Sequence, residues 1–482
     1  MSTLKKNFFY VFLQQFLLIG LPFLTIPYVS RVLGPDGVGH YSYSFSIVTL
    51  VITIFLLGSN LYSTREIAKV KNQKEKLSRT FFEIMTIRIL LLSGALLLYV
   101  ISCLTFFKGD IIFYLQTLHL IGAFFDVTWL FQGLELFKKV VIRNISVKFI
   151  GFGSVFLFVH DKEDVWLYTL IMGASVLIGN ILLVFGIQKY VSWVTSFSKD
   201  DLKVHLLQML LLFIPALSGM IYSVMDKTML GSLSTVQQVG FYEQSYKIVY
   251  MITSILNITG IVMLPRASSL IAGKQFDKLK SVIQSGITIN LFISIPMTFG
   301  LFAISGNFVN WFLGSSFKES IVICMIMSPI IVFKSIGVIF GSWYLVPMEK
   351  NKEYTLPIMI GAIINIILNF ILIPPFGAAG AAVSTVFTEG LIVSIQAWYL
   401  KGELPIREIL NKRIFRYLLL SLVMVCLIYG IDTVSDFSNL IMIIIKVLVG
   451  IGVYMGILFL LKDQSLFMLL DYFKTKKAKA NS

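Results

Sequence analysis

Glu243, Lys247, Tyr250, Ser254 and Asn257 share one apolar stretch of the chain. Their spacing, by fours and threes, puts them on one face of a helix. A charge at the centre of a bilayer costs about 3 kcal/mol on insertion scales, so charges in such stretches face a cavity or a partner. The stripe therefore reads as the lining of a polar cavity, or as an intrahelical Glu243–Lys247 pair with helix-packing hydroxyls. A second stripe holds Ser42, Ser46, Thr49, Thr53 and Asn60. Cations stand at Arg31, Arg88, Lys148 and Lys334, and acids at Glu83, Asp126 and Glu389. Cations hold anions, hydroxyls and amides hold sugars, and an acid in an apolar span can exchange a proton or a metal cation. His119 and Asp126 are seven residues apart and read as one helical face, which suits a proton relay or a structural hydrogen bond. The cysteines, Cys103, Cys324 and Cys426, lie in apolar runs with neither a disulfide framework nor metal-ligand spacing. No glycine-rich phosphate loop ending in Gly-Lys-Ser/Thr is present to hold a nucleotide.

The elements that must position these residues are membrane helices. The 482 residues are 57% hydrophobic and only 13% charged, about half the charge of a soluble domain. Apolar segments fall at about 8–29, 41–63, 82–106, 111–134, 141–159, 165–187, 206–229, 239–264, 282–305, 319–341, 355–373, 378–400, 414–431 and 440–461. Each is long enough to cross a hydrocarbon core of roughly 30 Å. The first follows Lys5 and Lys6 but contains Pro22 and Pro27 and no small-residue cleavage site, so it reads as a retained span. The net charge of +15 marks loops rather than a nucleic-acid surface. The N-terminus, every second loop and the tail, with the adjoining span ends at Arg143 and Arg416, hold thirty lysines and arginines. The opposite loops hold five: Arg31, Lys108, Lys162, Lys227 and Lys318. That bias places both termini in the cytoplasm. The expected fold is an all-α polytopic membrane protein of fourteen helices. Its loops are too short for a catalytic domain, so no enzyme is expected.

The chain also repeats itself. Arg31-Val32-Leu33-Gly34 matches Thr228-Met229-Leu230-Gly231, and Val38-Gly39-His40-Tyr41 matches Val239-Gly240-Phe241-Tyr242. Spans one and two thus correspond to spans seven and eight, after an even number of crossings. This predicts two parallel six-helix lobes, 1–205 and 206–400, with a cleft between them. Spans thirteen and fourteen and a basic cytoplasmic tail, 401–482, are appended.

Four stretches carry a resemblance. Ser30-Arg31-Val32-Leu33-Gly34-Pro35 with Gly37, Val38, Gly39 and Tyr41 is the first. Trp129-Leu130-Phe131-Gln132-Gly133-Leu134-Glu135 is the second. Asp226-Lys227-Thr228-Met229-Leu230-Gly231, with Val239, Gly240, Tyr242 and Lys247, is the third. Pro374 with Gly377-Ala378-Ala379-Gly380-Ala381-Ala382 and Glu389 is the fourth. Together they resemble the polysaccharide repeat-unit flippases, the Wzx type, of the multidrug/oligosaccharidyl-lipid/polysaccharide exporter superfamily. The resemblance spans nearly the whole chain. It implies a V-shaped, fourteen-helix, alternating-access transporter. Its cargo would be an undecaprenyl-pyrophosphate-linked glycan, moved to the outer leaflet of a bacterial cytoplasmic membrane for capsule or O-antigen synthesis. A polysaccharide polymerase and assembly proteins would be further partners. The peptidoglycan-precursor flippases also resemble the chain at Ser30-Arg31 and Leu33-Gly34, but they use arginines where Ser42, Ser44 and Ser46 stand here.

The substrate-binding candidates are Arg31 and Lys247, one in each half, for the pyrophosphate, with Arg88, Lys148 and Lys334 as further cations. Ser46, Thr49, Tyr250, Ser254 and Asn257 would meet the sugars. Asp126 and Glu389 are the candidates for H+ or Na+ coupling, with no other cofactor expected. The alternative is a multidrug antiporter on the same fold. Such an exporter usually needs a buried carboxylate in its first lobe; no acidic residue occurs from Met1 to Gly34, which leaves Asp126 as the substitute.

Overall fold

The computed structural model describes residues 3–194, 198–404, 412–432, 437–463 and 465–466. The basic tail beyond 466, and parts of two loops expected in the cytoplasm, lie outside the described residues. Every regular element among those described is helical. In chain order they are α1 (Thr3–Leu56), α2 (Ser59–Val70), α3 (Lys74–Thr105), α4 (Ile111–Phe124), α5 (Thr128–Gly133), α6 (Phe137–Phe158) and α7 (Val165–Val184). Then follow α8 (Lys199–Leu233), α9 (Val236–Ala272), α10 (Phe276–Phe312), α11 (Glu319–Met327) and α12 (Ile330–Val338). A π-helical turn at Ile339–Leu345, α13 (Asn351–Leu400), α14 (Lys412–Asp432) and α15 (Asn439–Leu460) complete the chain.

Among the described residues, eleven helices are long and apolar enough to cross a membrane, against the fourteen segments expected. Two of the eleven, α1 and α13, are too long for one crossing. Their 54 and 50 residues would reach about 80 and 75 Å at about 1.5 Å per residue. Both are broken at a glycine in the left-handed region. Gly34 has φ 67° and is followed by Pro35, which has no N–H to continue the helical ladder. Gly377 has φ 54° and follows Pro374 and Pro375. A Cβ on Gly380 would fall on the carbonyl of Leu372. In a straight helix those residues lie about 12 Å apart, so the second arm of α13 folds back on the first. The expected span 206–229 lies in α8, which is not among the eleven.

Two expected spans are not single rods. Span four ends at Phe124, breaks, and resumes as the short α5. Span ten is interrupted after Met327 at Ser328 and Pro329 and runs on into the π turn. Arg31 and Lys227, assigned above to loops, lie inside α1 and α8.

The described chain forms two compact units, Met1–Glu243 and Gln244–Ser482. The first has two apolar clusters. One gathers Phe81, Trp129, Leu130 and Phe131 with Tyr62 and Ile67. The other gathers Val48, Leu92, Tyr99 and Phe113. In the second unit, α14 and α15 pack on α10 through Phe292, Tyr417 and Tyr454. The Tyr454 hydroxyl donates to the Phe292 carbonyl at 3.0 Å. Large apolar side chains such as Leu98, Phe185 and Phe459 remain exposed. On a protein with this many apolar helices, such a surface is made for lipid.

Candidate functional site

The two copies of the repeat meet. A Cβ on Gly39 would fall on the carbonyl oxygen of Val236, and a Cβ on Gly240 would fall on that of Pro35. At the 201-residue offset of the Val-Gly-x-Tyr match, residues 35 and 39 correspond to 236 and 240, so the two contacts are reciprocal. Here the second arm of α1 and the start of α9 cross backbone on backbone, under a local pseudo-two-fold axis. Only glycine permits that approach. Val38 and Val239, the matched neighbours, are both buried.

Side chains along α1 and α8 close round the crossing. The Tyr43 ring lies against Gly231, and its hydroxyl is 3.1 Å from Ser232 Oγ. Ser46 Oγ is 2.9 Å from Thr228 Oγ1. Gln237 Nε2 donates to Asp36 at 3.4 Å. Just inside, the Tyr242 hydroxyl donates to the fully buried Asp226 at 2.5 Å. Lys227 Nζ pairs with Glu243 at 3.1 Å. On the far side of α1, His40 Nε2 is 2.6 Å from Asp110, which also caps α4 by accepting from Ile112 N at 3.0 Å. Burial alone would raise the Asp110 carboxyl. The bonds from His40 and the backbone outweigh that and hold it below the usual carboxylate range.

The predicted residues fall into several settings. Arg31 is exposed on α1, just before the break at Gly34. Ser46 is buried and spends its hydroxyl on helix packing, and the carbonyl of the half-buried Thr49 accepts from Thr53 at 2.7 Å. On α9, Lys247 is half-buried and Tyr250 is exposed, its ring stacked on Tyr246. Ser254 bonds its own backbone at Met251, and Asn257 is half-buried.

Arg88 is fully buried. It donates to Ser59 Oγ at 2.7 Å and to Asn60 Oδ1 at 2.6 Å, and it lies 3.8 Å from Asp126. Asp126 sits in the break between α4 and α5, where it accepts from the backbone and hydroxyl of Thr128. It is therefore not on a common helical face with His119. That residue is buried edge-on against Phe45, with no hydrogen-bond partner at Nε2. The relay reading fails because the helix ends before Asp126.

In the second unit, Lys334 of α12 pairs with Glu389 of α13 at 2.5 Å, so a cation candidate and a coupling candidate hold each other. Lys148 lines a cavity of about 340 Å³ together with Arg143, Asn144, Phe152, Met172 and Ser175. Arg143 is not among the predicted site residues; at the start of span five it counts with the loop charges Lys138 and Lys139. Its guanidinium donates to Asn180 at 2.5 Å. Among the described residues no cluster of three His, Cys, Asp or Glu side chains is placed to hold a metal.

A family profile described as "polysaccharide biosynthesis protein" matches residues 4–271, and one described as "lipid II flippase MurJ" matches residues 141–448. A putative O-antigen transporter of Escherichia coli (strain K12) is 24% identical over 83% of this chain and 97% of its own length. One of Shigella dysenteriae is 26% identical over 81% and 98%. Among solved structures, the lipid II flippase MurJ in an inward closed conformation aligns with a TM-score of 0.74. It shares 16% identity and covers 93% of this chain and 96% of its own. An inward-facing multidrug resistance MATE family transporter aligns at 0.61, with 13% identity over 83% and 95%. At these identities the structures speak for the fold alone.

Proposed function

The chain belongs to the polysaccharide biosynthesis proteins, as a Wzx-type flippase of the multidrug/oligosaccharidyl-lipid/polysaccharide exporter superfamily, and from that premise we propose that it carries undecaprenyl-pyrophosphate-linked glycan repeat units across a bacterial cytoplasmic membrane. Movement runs from the cytoplasmic to the outer leaflet by alternating access, for a surface polysaccharide. The O-antigen transporters among its relatives support the cargo class. The observation that carries the mechanism is the reciprocal crossing of Gly39 and Gly240. The backbone contact between the two repeat copies is ringed by only a few side-chain bonds, and in this reading it parts and re-forms in each cycle as they break and remake. Fourteen crossings follow from the eleven apolar helices if α1 and α13 each count twice and α8 once more. Both termini then lie on one side, which the charge bias makes the cytoplasm. The lobes are 1–205 and 206–400, with 401–482 appended. The multidrug alternative shares the fold and has no observation of its own.

In this reading Arg31 and Lys247 hold the pyrophosphate. Charge is what an anion needs, so Lys247→Arg should keep more transport than Lys247→Gln. Arg31→Lys should lose part, because a point charge replaces a bidentate fork. The test is flipping of a lipid-linked glycan by the purified chain in proteoliposomes, with a cationic dye as the competing cargo. Transport of the dye without glycan flipping would sink the proposal. In cells, loss of the protein should leave lipid-linked repeat units on the cytoplasmic leaflet.

A further inference from the structure

A second cavity lies between α6 and α7, on the opposite side of their packing line from Lys148. That line is marked by Gly151 against Ser175 and by Gly179 against Val147. The Lys148 cavity opens on the side where α7 meets α4, at Val176 and Asn180. The second, of about 540 Å³, is lined by Lys139, Arg143 and Ser146 at one end and by isoleucines, leucines and Ala174 beyond. Its walls Ile142, Ile150, Ile178 and Leu182 are 50 to 65% exposed. On a membrane helix, exposed side chains of this kind face acyl chains.

The polar end is cationic, with Asp126 the carboxylate near enough to act on Arg143 through space. Lys139 Nζ is held over two ring faces, 5.1 Å from the centroid of Phe131 and 4.7 Å from that of Tyr190. Arg143 donates to Asn180 and to the Val176 carbonyl, while its Nε is buried with no acceptor. Among the described residues neither cation pairs with a carboxylate. From Lys139 to Ile150 the helix rises about 16 Å, close to half of a roughly 30 Å hydrocarbon core. A basic mouth at the interface with an apolar wall one leaflet deep has the form of a phospholipid.

We propose that the α6–α7 groove is a binding site for one anionic phospholipid, its phosphate at Lys139 and Arg143 and an acyl chain along Ile142, Ile150 and Ile178. The two positive charges select an anionic headgroup over a zwitterionic one. Its test does not use transport, so its failure and the failure of the proposed function are told apart.

The experiment is native mass spectrometry of the full chain, titrated with phosphatidylglycerol or phosphatidylcholine. One phosphatidylglycerol should remain bound where phosphatidylcholine binds at least about ten-fold more weakly. Each charge near a membrane surface contributes about five-fold in affinity. Lys139→Gln should therefore weaken phosphatidylglycerol by about five-fold and leave phosphatidylcholine unchanged. Arg143 also ties α6 to α7, so Lys139 carries the charge test alone. Ala174→Trp fills the groove without touching charge and should remove the bound lipid. Equal retention of the two lipids, or undiminished phosphatidylglycerol in both variants, overturns the assignment.

Discussion

Two places in this molecule bring backbone against backbone through glycine, and they do so for different ends. At the crossing, Gly39 and Gly240 bring together segments two hundred residues apart, each against a carbonyl of the other. At the hairpin in α13, Gly380 lies on the carbonyl of Leu372, a near neighbour in the chain. The first contact joins separate helices of one compact unit, and in the proposed cycle it separates while both stay folded. The second is part of a turn, fixed by Gly377 in the left-handed region and by two prolines, and can separate only by unfolding. The same steric demand therefore predicts a defect in cycling at one place and a defect in stability at the other.

The largest effect should come from adding bulk to the crossing. Gly39→Val and Gly240→Val place a branched side chain on a backbone carbonyl that cannot yield. Transport should fall at least about 100-fold while the protein remains abundant in the membrane. Single-cysteine labelling beside the crossing, at Ser42 or Val239, should increase as the contact is held apart. If either variant is degraded instead, the crossing is a structural joint like the hairpin and the comparison collapses.

Next comes the ion pair that ties α13 to α12. Removing one member of a buried pair leaves an uncompensated charge, commonly at a cost of about 3–5 kcal/mol. Lys334 is about a third exposed, so the lower end applies to Lys334→Met. The double substitution Lys334→Met with Glu389→Gln should recover abundance. If it also flips glycan at the normal rate, Glu389 has no coupling role. Gly380→Ala should follow, at about 1–3 kcal/mol for an overpacked site. It should lower the thermal midpoint in detergent and leave the specific activity of the surviving protein unchanged.

Much of this frame is legible in the amino-acid sequence. The two short motif matches, at offsets of 197 and 201 residues, announce the repeat, and the apolar segments are already separate at 29–41 and 373–378, where Gly34 and Gly377 break the helices. What was hidden is contact between elements distant in sequence. No periodicity relates Lys334 to Glu389, and nothing in either motif says that its glycine touches the other copy. The relay of His119 with Asp126 failed for a related reason. A helical-face argument holds only while the helix continues, and the chain turns after Phe124. Arg143 escaped notice because it lines a space formed with another helix.

The smallest effect tests whether the crossing is also held from behind. His40 adjoins Gly39, and its bond to Asp110 ties that arm of α1 to the start of α4. The Asp110 carboxyl is held below its usual range in the folded protein. A group with a depressed folded value stabilises above its unfolded value, about 3.9 for aspartate. That contribution disappears as pH falls through the lower, folded value. Asp110 is partly exposed, so the pair belongs with those that contribute about 0–1 kcal/mol. The wild type should therefore lose slightly more thermal stability than Asp110→Asn between pH 5 and pH 3, and the two curves should converge at the acid end. Read through cysteine labelling beside Gly39, Asp110→Asn at neutral pH should loosen the crossing without stopping transport. Parallel melting curves with unchanged labelling would show that the arm is held by the glycine contact alone.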